Sequence, residues 1–520
     1  MSPKPAAQRS VLGVGSVVGL ATLFSKMIGL LRDLVMASVF GIGVDAFIIA
    51  NKLPGFLLIL LGGVNGPFHS AVVSVVARQE RRETAELMES VNTVVGLLLG
   101  VVSLGLWWGA PFFVGLVAQG APLDIQVQAI GQLRVMAPVA LFAGLIGLGF
   151  GVLTARDHYL LPTISPIFSS GAAVLAIVLF APVYGPQVLA WGVLGGAVLQ
   201  WLIQLIVQWR LGLGTLRPRW RPRDPQVQKV LGIAAPASGS SLLLNVNVYT
   251  DLFFATQLAV GVATALEYAN RLIQTPLGIL SNVLLIPALP LYSRLAAEED
   301  RPELRLRVRQ GVLIILVWVL PVSALAIALA EPLVSVIFER GNFTARDTLL
   351  VAQVFAGGAL GMTFYLTRDL LIRVFYALGD ARFPLKVSTL GIATNLLLDW
   401  LLSRLFGAPG LTLASTGVSA IACAVLVGGL RRRMAGLGWA GLGRTFTLVA
   451  LGSLLTGGGA WGTYSFLGTL WPAVGLLAVG LKLTVAGLLG IVIQGVWLWI
   501  WRIPEVNELT LLRRVGRGKR

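Results

Sequence analysis

The sequence predicts an all-α, polytopic membrane protein of fourteen transmembrane helices, arranged as two parallel six-helix lobes plus two C-terminal helices. Three observations carry that prediction. Of 520 residues, 56% are apolar and only 12% charged, with a mean hydropathy of +0.84, a balance that ordinary soluble domains do not show. Fourteen apolar stretches reach the roughly 20 residues a span requires. The first twelve of them form two copies of one six-span pattern.

In order, the stretches cover residues 11–40, 45–77, 91–118, 126–155, 160–182 and 188–209 in the first half. The second half holds 230–257, 265–293, 310–331, 348–376, 384–404 and 411–430, followed by 445–468 and 472–501. Each is bounded by charges or a Pro/Gly-rich break. The first follows a short polar lead with Lys4 and Arg9 and has no small-residue cleavage site, so it reads as a retained helix and not a signal peptide.

The basic residues orient the chain. A net charge of +17 would suggest nucleic acid in a soluble protein, but here topology accounts for it. With the N-terminus cytoplasmic, the loops and termini on that side hold 29 Lys and Arg, and the opposite side holds only Arg340, Arg346 and Arg404. The positive-inside rule therefore places both termini in the cytoplasm and removes the case for nucleic acid. A single cysteine, Cys423, and two histidines, His69 and His158, exclude a disulfide framework and a cysteine–histidine metal cluster. No nucleophile elbow, P-loop or His–carboxylate motif supports catalysis, so the chain reads as a non-enzyme without a bound cofactor.

The duplication is visible at an offset of about 220 residues. Ala50-Asn51-Lys52-Leu53 recurs as Ala269-Asn270-Arg271-Leu272, Ser74 falls on Ser293, and Pro111 and Gly120 fall on Pro332 and Gly341. The run ending at Pro162 matches the run ending at Pro384. Even-numbered repeats share one orientation, related by a pseudo-twofold axis along the membrane normal. The expected lobes are residues 1–223 and 224–434, with residues 435–520 as a C-terminal helix pair and basic tail. Transporters that rock two lobes around a central site use this architecture; a duplicated scaffold without transport is the plainer alternative.

Eight cations remain inside spans: Lys26, Arg32, Lys52, Arg134, Arg271, Arg368, Arg373 and Lys482. Each costs about 2.5 to 3.5 kcal/mol at a helix centre, so each needs a cavity, a partner or a route to the surface. Arg368 and Arg373 can snorkel, with Asp369 four residues before Arg373 as a local partner. Arg134 and Lys482 have no partner evident in sequence. Lys26 and Arg32 share the first span with Asp33, and Lys52 and Arg271 occupy equivalent repeat positions. With only Asp33 and Asp45 nearby to compensate them, these cations point to an anionic substrate. An acidic constellation stands apart from them. Asn395 and Asp399 share a face, as do Asn247 and Asp251, and Ser415 and Thr416 follow on the next span. Such oxygen donors suit an alkali cation, a proton site or a hydrogen-bonded polar knot.

The run FSKMIGLLRDLVMASVFGIGVDAFIIANKLP resembles the signature of the MurJ (MviN) family, the lipid II flippases of bacterial peptidoglycan synthesis. The matching residues are Ser25, Lys26, Gly29, Arg32, Asp33, Phe40, Gly41, Asp45, Ala46, Phe47, Lys52, Leu53 and Pro54. YANRLIQTPLGIL from Tyr268 and the FYALGDARFPLK run are similar as well; YALGD is shared across the wider drug and oligosaccharide flippase superfamily. The resemblance spans nearly the whole chain.

It implies that Lys26, Arg32 and Arg271 hold the lipid's pyrophosphate, with Asp33, Asp45 and Lys52 in the same cavity. It also implies a Na+ site from Asp251, Asn395, Asp399 and a hydroxyl of Ser415 or Thr416, and a groove in the last two spans for the polyprenyl tail. Lys26 replaces a more usual arginine and Leu58 stands where many members carry another. The expected function is lipid II translocation by alternating access in the bacterial inner membrane, among membrane lipids and beside the cell-wall synthesis machinery. Flipping of another polyprenyl-linked oligosaccharide, or cation-coupled export of small molecules, is the alternative. A membrane glycosyltransferase would need an acidic residue on a large outer loop, and the outer loops are short.

Overall fold

A computed structural model describes residues 11–63, 66–77, 79–214, 217–244, 246–285, 288–434, 442–472 and 475–501. The N-terminal lead and the basic tail after Trp501 lie outside the described residues. Within them the chain is helical and contains no strand, as the hydropathy pattern requires. A membrane core offers backbone groups no water, and helices satisfy them internally. Nine stretches of the described residues are long and apolar enough to cross a membrane; one of them, Leu160–Arg210, joins two expected spans. By its contacts the chain forms two compact units, Met1–Gly261 and Val262–Arg520.

The first unit runs α1 (Val11–Phe40), α2 (Asp45–Gly62), α3 (Pro67–Val76), α4 (Arg81–Trp108), α5 (Ala110–Val117), α6 (Leu123–Met136) and α7 (Val139–Thr154). It continues through α8 (Leu160–Tyr184), α9 (Val188–Arg210), α10 (Pro225–Leu244) and α11 (Val246–Thr256). The second and fourth expected spans are each interrupted. α2 ends at Gly62 and Gly63, and α6 gives way to α7 at Pro138, whose ring cannot donate to the helix ladder. α7 is the centre of this unit, packed by α2, α3, α4 and α9. Its glycines explain the close approach: a Cβ on Gly147 would run into the Leu61 carbonyl, and one on Gly151 into Val72. Leu61, Phe68, Val72, Val95, Leu99 and Leu148 fill the resulting core.

The second unit runs α12 (Val262–Leu284), α13 (Ala288–Arg294), α14 (Arg301–Ala328), α15 (Ala330–Phe338), α16 (Ala345–Ala377), α17 (Arg382–Phe406), α18 (Ala408–Arg433), α19 (Leu442–Leu470) and α20 (Leu476–Ile500). α16 takes the central place of α7, packed by α12, α13, α14 and α18. α18 is zipped onto it by side chains that donate to α16 carbonyls: Thr412 to Val354 (2.8 Å), Thr416 to Gly357 (3.2 Å) and the Cys423 thiol to Phe364 (3.3 Å). Gly357 and Gly361 leave room for the two hydroxyls, since a Cβ on either would strike one of them.

The repeat seen in sequence is also a repeat of backbone geometry. Left-handed residues recur in register: Gly41 (φ 58°) with Gly261 (φ 92°), Asp157 (φ 61°) with Gly379 (φ 75°), and Gly185 (φ 57°) with Gly407 (φ 65°). One element departs from the pattern in its packing. The repeat counterpart of α1 is α10 with α11, and these pack on α3, α4 and α5 within the first unit. The sequence duplication thus turns over near residue 224, whereas the contact units divide after Gly261.

Candidate functional site

In the first unit α1 and α2 carry five of the expected residues. Arg32 donates through Nε (3.0 Å) and Nη2 (2.7 Å) to one oxygen of its neighbour Asp33, which is buried. This fork on a single carboxylate oxygen leaves Arg32 half-buried beside a compensating charge, as a cation inside a span requires. Asp45 is also buried, at the first turn of α2, and its Oδ2 accepts the backbone N–H of Gly261. Lys52, two turns further along α2, is half-buried, and Lys26 on α1 is exposed.

In the second unit Arg271 lies on α12, 46% exposed, with Nη2 3.3 Å from Glu267 one turn earlier. Glu267 was not singled out in sequence, although a glutamate four residues before an arginine is a recognised helical pair. The expected Asp369–Arg373 partnership is corrected: Asp369 Oδ1 takes Nε (3.2 Å) and Nη2 (3.1 Å) of the adjacent Arg368, whose Nη1 reaches Ser419 on α18 (3.3 Å). The adjacent arginine fits because its long side chain can fold back around the same turn, as Arg32 does on Asp33.

Asn395 and Asp399 are buried one turn apart on α17, with Ser403 continuing the face. On α18 Ser415 is half-buried and Thr416 buried, the Thr416 proton being donated to the Gly357 carbonyl. Asp251 and Asn247 are half-buried on α11, in the first unit. Carboxylate, amide and hydroxyl oxygens on α17 and α18 are of a type that suits a hard monovalent cation, a proton or a hydrogen-bonded knot. Among the described residues no group of three or more His, Cys, Asp or Glu could hold a metal ion.

Other intramembrane polar groups escaped the sequence argument because amides carry no charge. Gln200, Gln204 and Gln208 form a buried stripe on α9, Gln204 donating to Ser165 of α8 (3.2 Å). Their i, i+4, i+8 spacing in an apolar span was the available signal. Arg134 sits 5.4 Å above the Trp107 ring, and Lys482, buried on α20, lies 5.9 Å from that of Trp471, so both have aromatic faces that offset their charge.

Comparison with known proteins extends this picture. A family model described as "Lipid II flippase MurJ" matches residues 36–481. A Synechocystis sp. protein named "Probable lipid II flippase MurJ" is 43% identical over 528 residues, covering 98% of both chains. The "Lipid II flippase MurJ" of Burkholderia cenocepacia is 30% identical over 429 residues, covering 79% of this chain and 82% of that one. Among solved structures, "Lipid II flippase MurJ, inward closed conformation" superimposes with a TM-score of 0.75 at 20% identity, covering 93% of this chain and 98% of that one. An inward-facing multidrug transporter of the MATE family and MOP superfamily gives 0.62 at 15% identity, over 81% and 98%. At those identities the structural likenesses speak for the fold.

Proposed function

The chain belongs to the MurJ family of lipid II flippases, and on that premise we propose that it carries lipid II from the cytoplasmic to the outer leaflet by alternating access. It is a multi-pass membrane transporter and not an enzyme. The observation that carries the substrate is the family relationship at 43% identity over 98% of the chain.

The side chains suggest how a pyrophosphate is held. Arg32 and Arg271 each rest on a carboxylate of their own helix, Asp33 and Glu267. An arriving pyrophosphate offers the same forks more oxygens and more charge, so each guanidinium can exchange its resting carboxylate for substrate without passing through an unpaired state. Lys26 and Lys52 add charge without fork geometry. Asp45 is spent on the Gly261 backbone, which gives it a structural part in the same region. Asn395, Asp399, Ser415 and Thr416, all in the second unit, form the proposed sodium site; ion binding there drives transport only through a difference in affinity between the inward and outward states. The C-terminal pair, α19 and α20, is the proposed groove for the tail. The positive-inside distribution supports an inner-membrane orientation with both termini cytoplasmic, among membrane lipids and in reach of the cell-wall synthesis machinery.

Rescue of a bacterium depleted of its own lipid II flippase tests this directly. The wild-type chain restores growth, Arg32→Ala and Arg271→Ala do not despite normal membrane expression, and Arg271→Lys restores it in part because one fork is lost. Full growth on Arg271→Ala removes that residue from the substrate site. For the ion, sodium should raise the melting temperature of purified protein above that in potassium, and Asp399→Asn should abolish the difference. Equal melting in both salts rejects a selective sodium site.

A further inference from the structure

The N-terminus of α17 carries a cationic cleft that the transport cycle described above does not use. The turn between α16 and α17 is fixed first. Asp380 Oδ1 accepts the backbone N–H groups of Arg382 (2.9 Å) and Phe383 (3.1 Å), and its other oxygen pairs with Arg433 at the end of α18. The Arg433 guanidinium lies 5.2 Å and 5.4 Å from the rings of Phe375 and Phe383, which stack on each other at 4.9 Å. These contacts wall a cleft of about 690 Å³ whose rim carries Arg382 and Lys386. Both are exposed, and among the described residues neither has a carboxylate partner.

Arg382 and Lys386 also head a continuous face of α17. Leu385, Leu390, Leu396, Leu397 and Trp400 descend from them at helical spacing, all strongly exposed. Two cations at the cytoplasmic end of a span, directly above an open apolar stripe, match a molecule with an anionic head and long hydrocarbon chains. The first repeat lacks the feature: the residues equivalent to Arg382 and Lys386 are Leu160 and Ile164.

We propose that Arg382 and Lys386, set on the cleft walled by Asp380, Arg433 and Phe383, form a binding site for one anionic phospholipid of the cytoplasmic leaflet, its phosphodiester on the two cations and its acyl chains along Leu390 and Leu397. The apolar stripe selects a membrane lipid over a soluble phosphate, which has nothing to place there. Asp380 neutralises Arg433 and keeps the wall rigid, so the exposed pair is what reads the headgroup.

The site is tested on the purified full-length chain by native mass spectrometry with phosphatidylglycerol or phosphatidylcholine. Wild type should hold one phosphatidylglycerol more tightly than any phosphatidylcholine. Basic residues near a membrane surface contribute about fivefold each, so Arg382→Gln with Lys386→Gln should weaken that adduct by roughly 25-fold at unchanged melting temperature. Because Asp380 and Arg433 are untouched, Asp380→Asn serves as a separate control for the wall, reporting folding through its melting temperature. Unchanged phosphatidylglycerol binding in the double variant, equal retention of the two lipids, or displacement of the lipid by millimolar inorganic phosphate would each overturn the proposal. Lipid II takes no part in the measurement, so the result is independent of the flippase assignment.

Discussion

The turn that joins α7 to α8 and the turn that joins α16 to α17 are copies of one backbone with different side chains. Each closes a helix with a left-handed residue, Asp157 at φ 61° and Gly379 at φ 75°. Each is then tied back five residues, His158 N to Leu153 O at 3.0 Å and Asp380 N to Phe375 O at 2.9 Å. Beyond that they diverge. In the first, Arg156 crosses to the α3–α4 junction, donating to the Gln79 carbonyl (2.7 Å) and Thr84 Oγ1 (2.6 Å). In the second, Asp380 and Arg433 bind the start of α17 to the end of α18. Duplication preserved the path of the chain, and each copy found its own way of pinning it, which left the second copy free to place cations at its rim.

Four variants sharpen that contrast, in descending order of effect. Arg433→Ala should lower the melting temperature most, because it strips both an ion pair and two aromatic contacts from the second turn. Allowing for solvent screening of a partly exposed arginine, the loss should be about 1 to 2 kcal/mol. Arg156→Ala removes two hydrogen bonds at the first turn and should cost about 1 kcal/mol, read in the same melt. A larger loss for Arg156→Ala than for Arg433→Ala would overturn that order.

The same pinning predicts a pH dependence. Burial pushes the Asp380 carboxyl up, but the Phe383 N–H, Arg433 and the Arg382 N–H outweigh it and hold the group below its ordinary value of 3.8. A depressed carboxyl stabilises the fold above its unfolded value and loses that contribution as pH falls through the folded one. Asp380→Asn should therefore destabilise equally at pH 5 and pH 8, with the gap from wild type closing only below about pH 4. A gap that closes between pH 5 and 8 would mean another group is titrating.

The smallest effect belongs to Asp157→Gly. A glycine adopts the left-handed conformation without steric cost, as its counterpart Gly379 does, so relief of strain should stabilise by up to about 1 kcal/mol. The lost hydrogen bond from the Tyr159 hydroxyl (2.9 Å) offsets part of it. A net destabilisation would show that this bond outweighs the backbone strain.

Much of the architecture was legible because hydropathy and duplication are properties of composition and order. The interruptions at Gly62 and Pro138 could be read only weakly, since proline also sits inside unbroken helices here at Pro54 and Pro166. The candidate residues were legible where charge marked them: Arg32, Asp33 and Arg271 stood out in apolar spans, and the Arg32–Asp33 pair is adjacent in sequence. What escaped depends on tertiary choice. Asp45 meets Gly261 across 216 residues, and α10 and α11 pack on the first unit although the repeat counts them with the second. Glu267 escaped for a simpler reason: a glutamate four residues before an arginine is an ordinary helical pair and marks no site by itself.

The zipper between α16 and α18 sets the scale on which the second unit can deform. Its three rungs lie about one turn and then two turns apart, each donating to one carbonyl of α16. A slide of one residue, about 1.5 Å, rotates every donor away from its acceptor. Only a full-turn jump of about 5.4 Å restores the phase, and it would carry Thr416 off the notch that Gly361 provides. Interhelical hydrogen bonds in membranes are worth about 0.6 kcal/mol each, so together they supply roughly 2 kcal/mol against shear, too small to weld the helices yet enough to make intermediate registers rare. The pair is a detent, not a bearing: sliding of α18 along α16 is stepped by the pitch of the two helices.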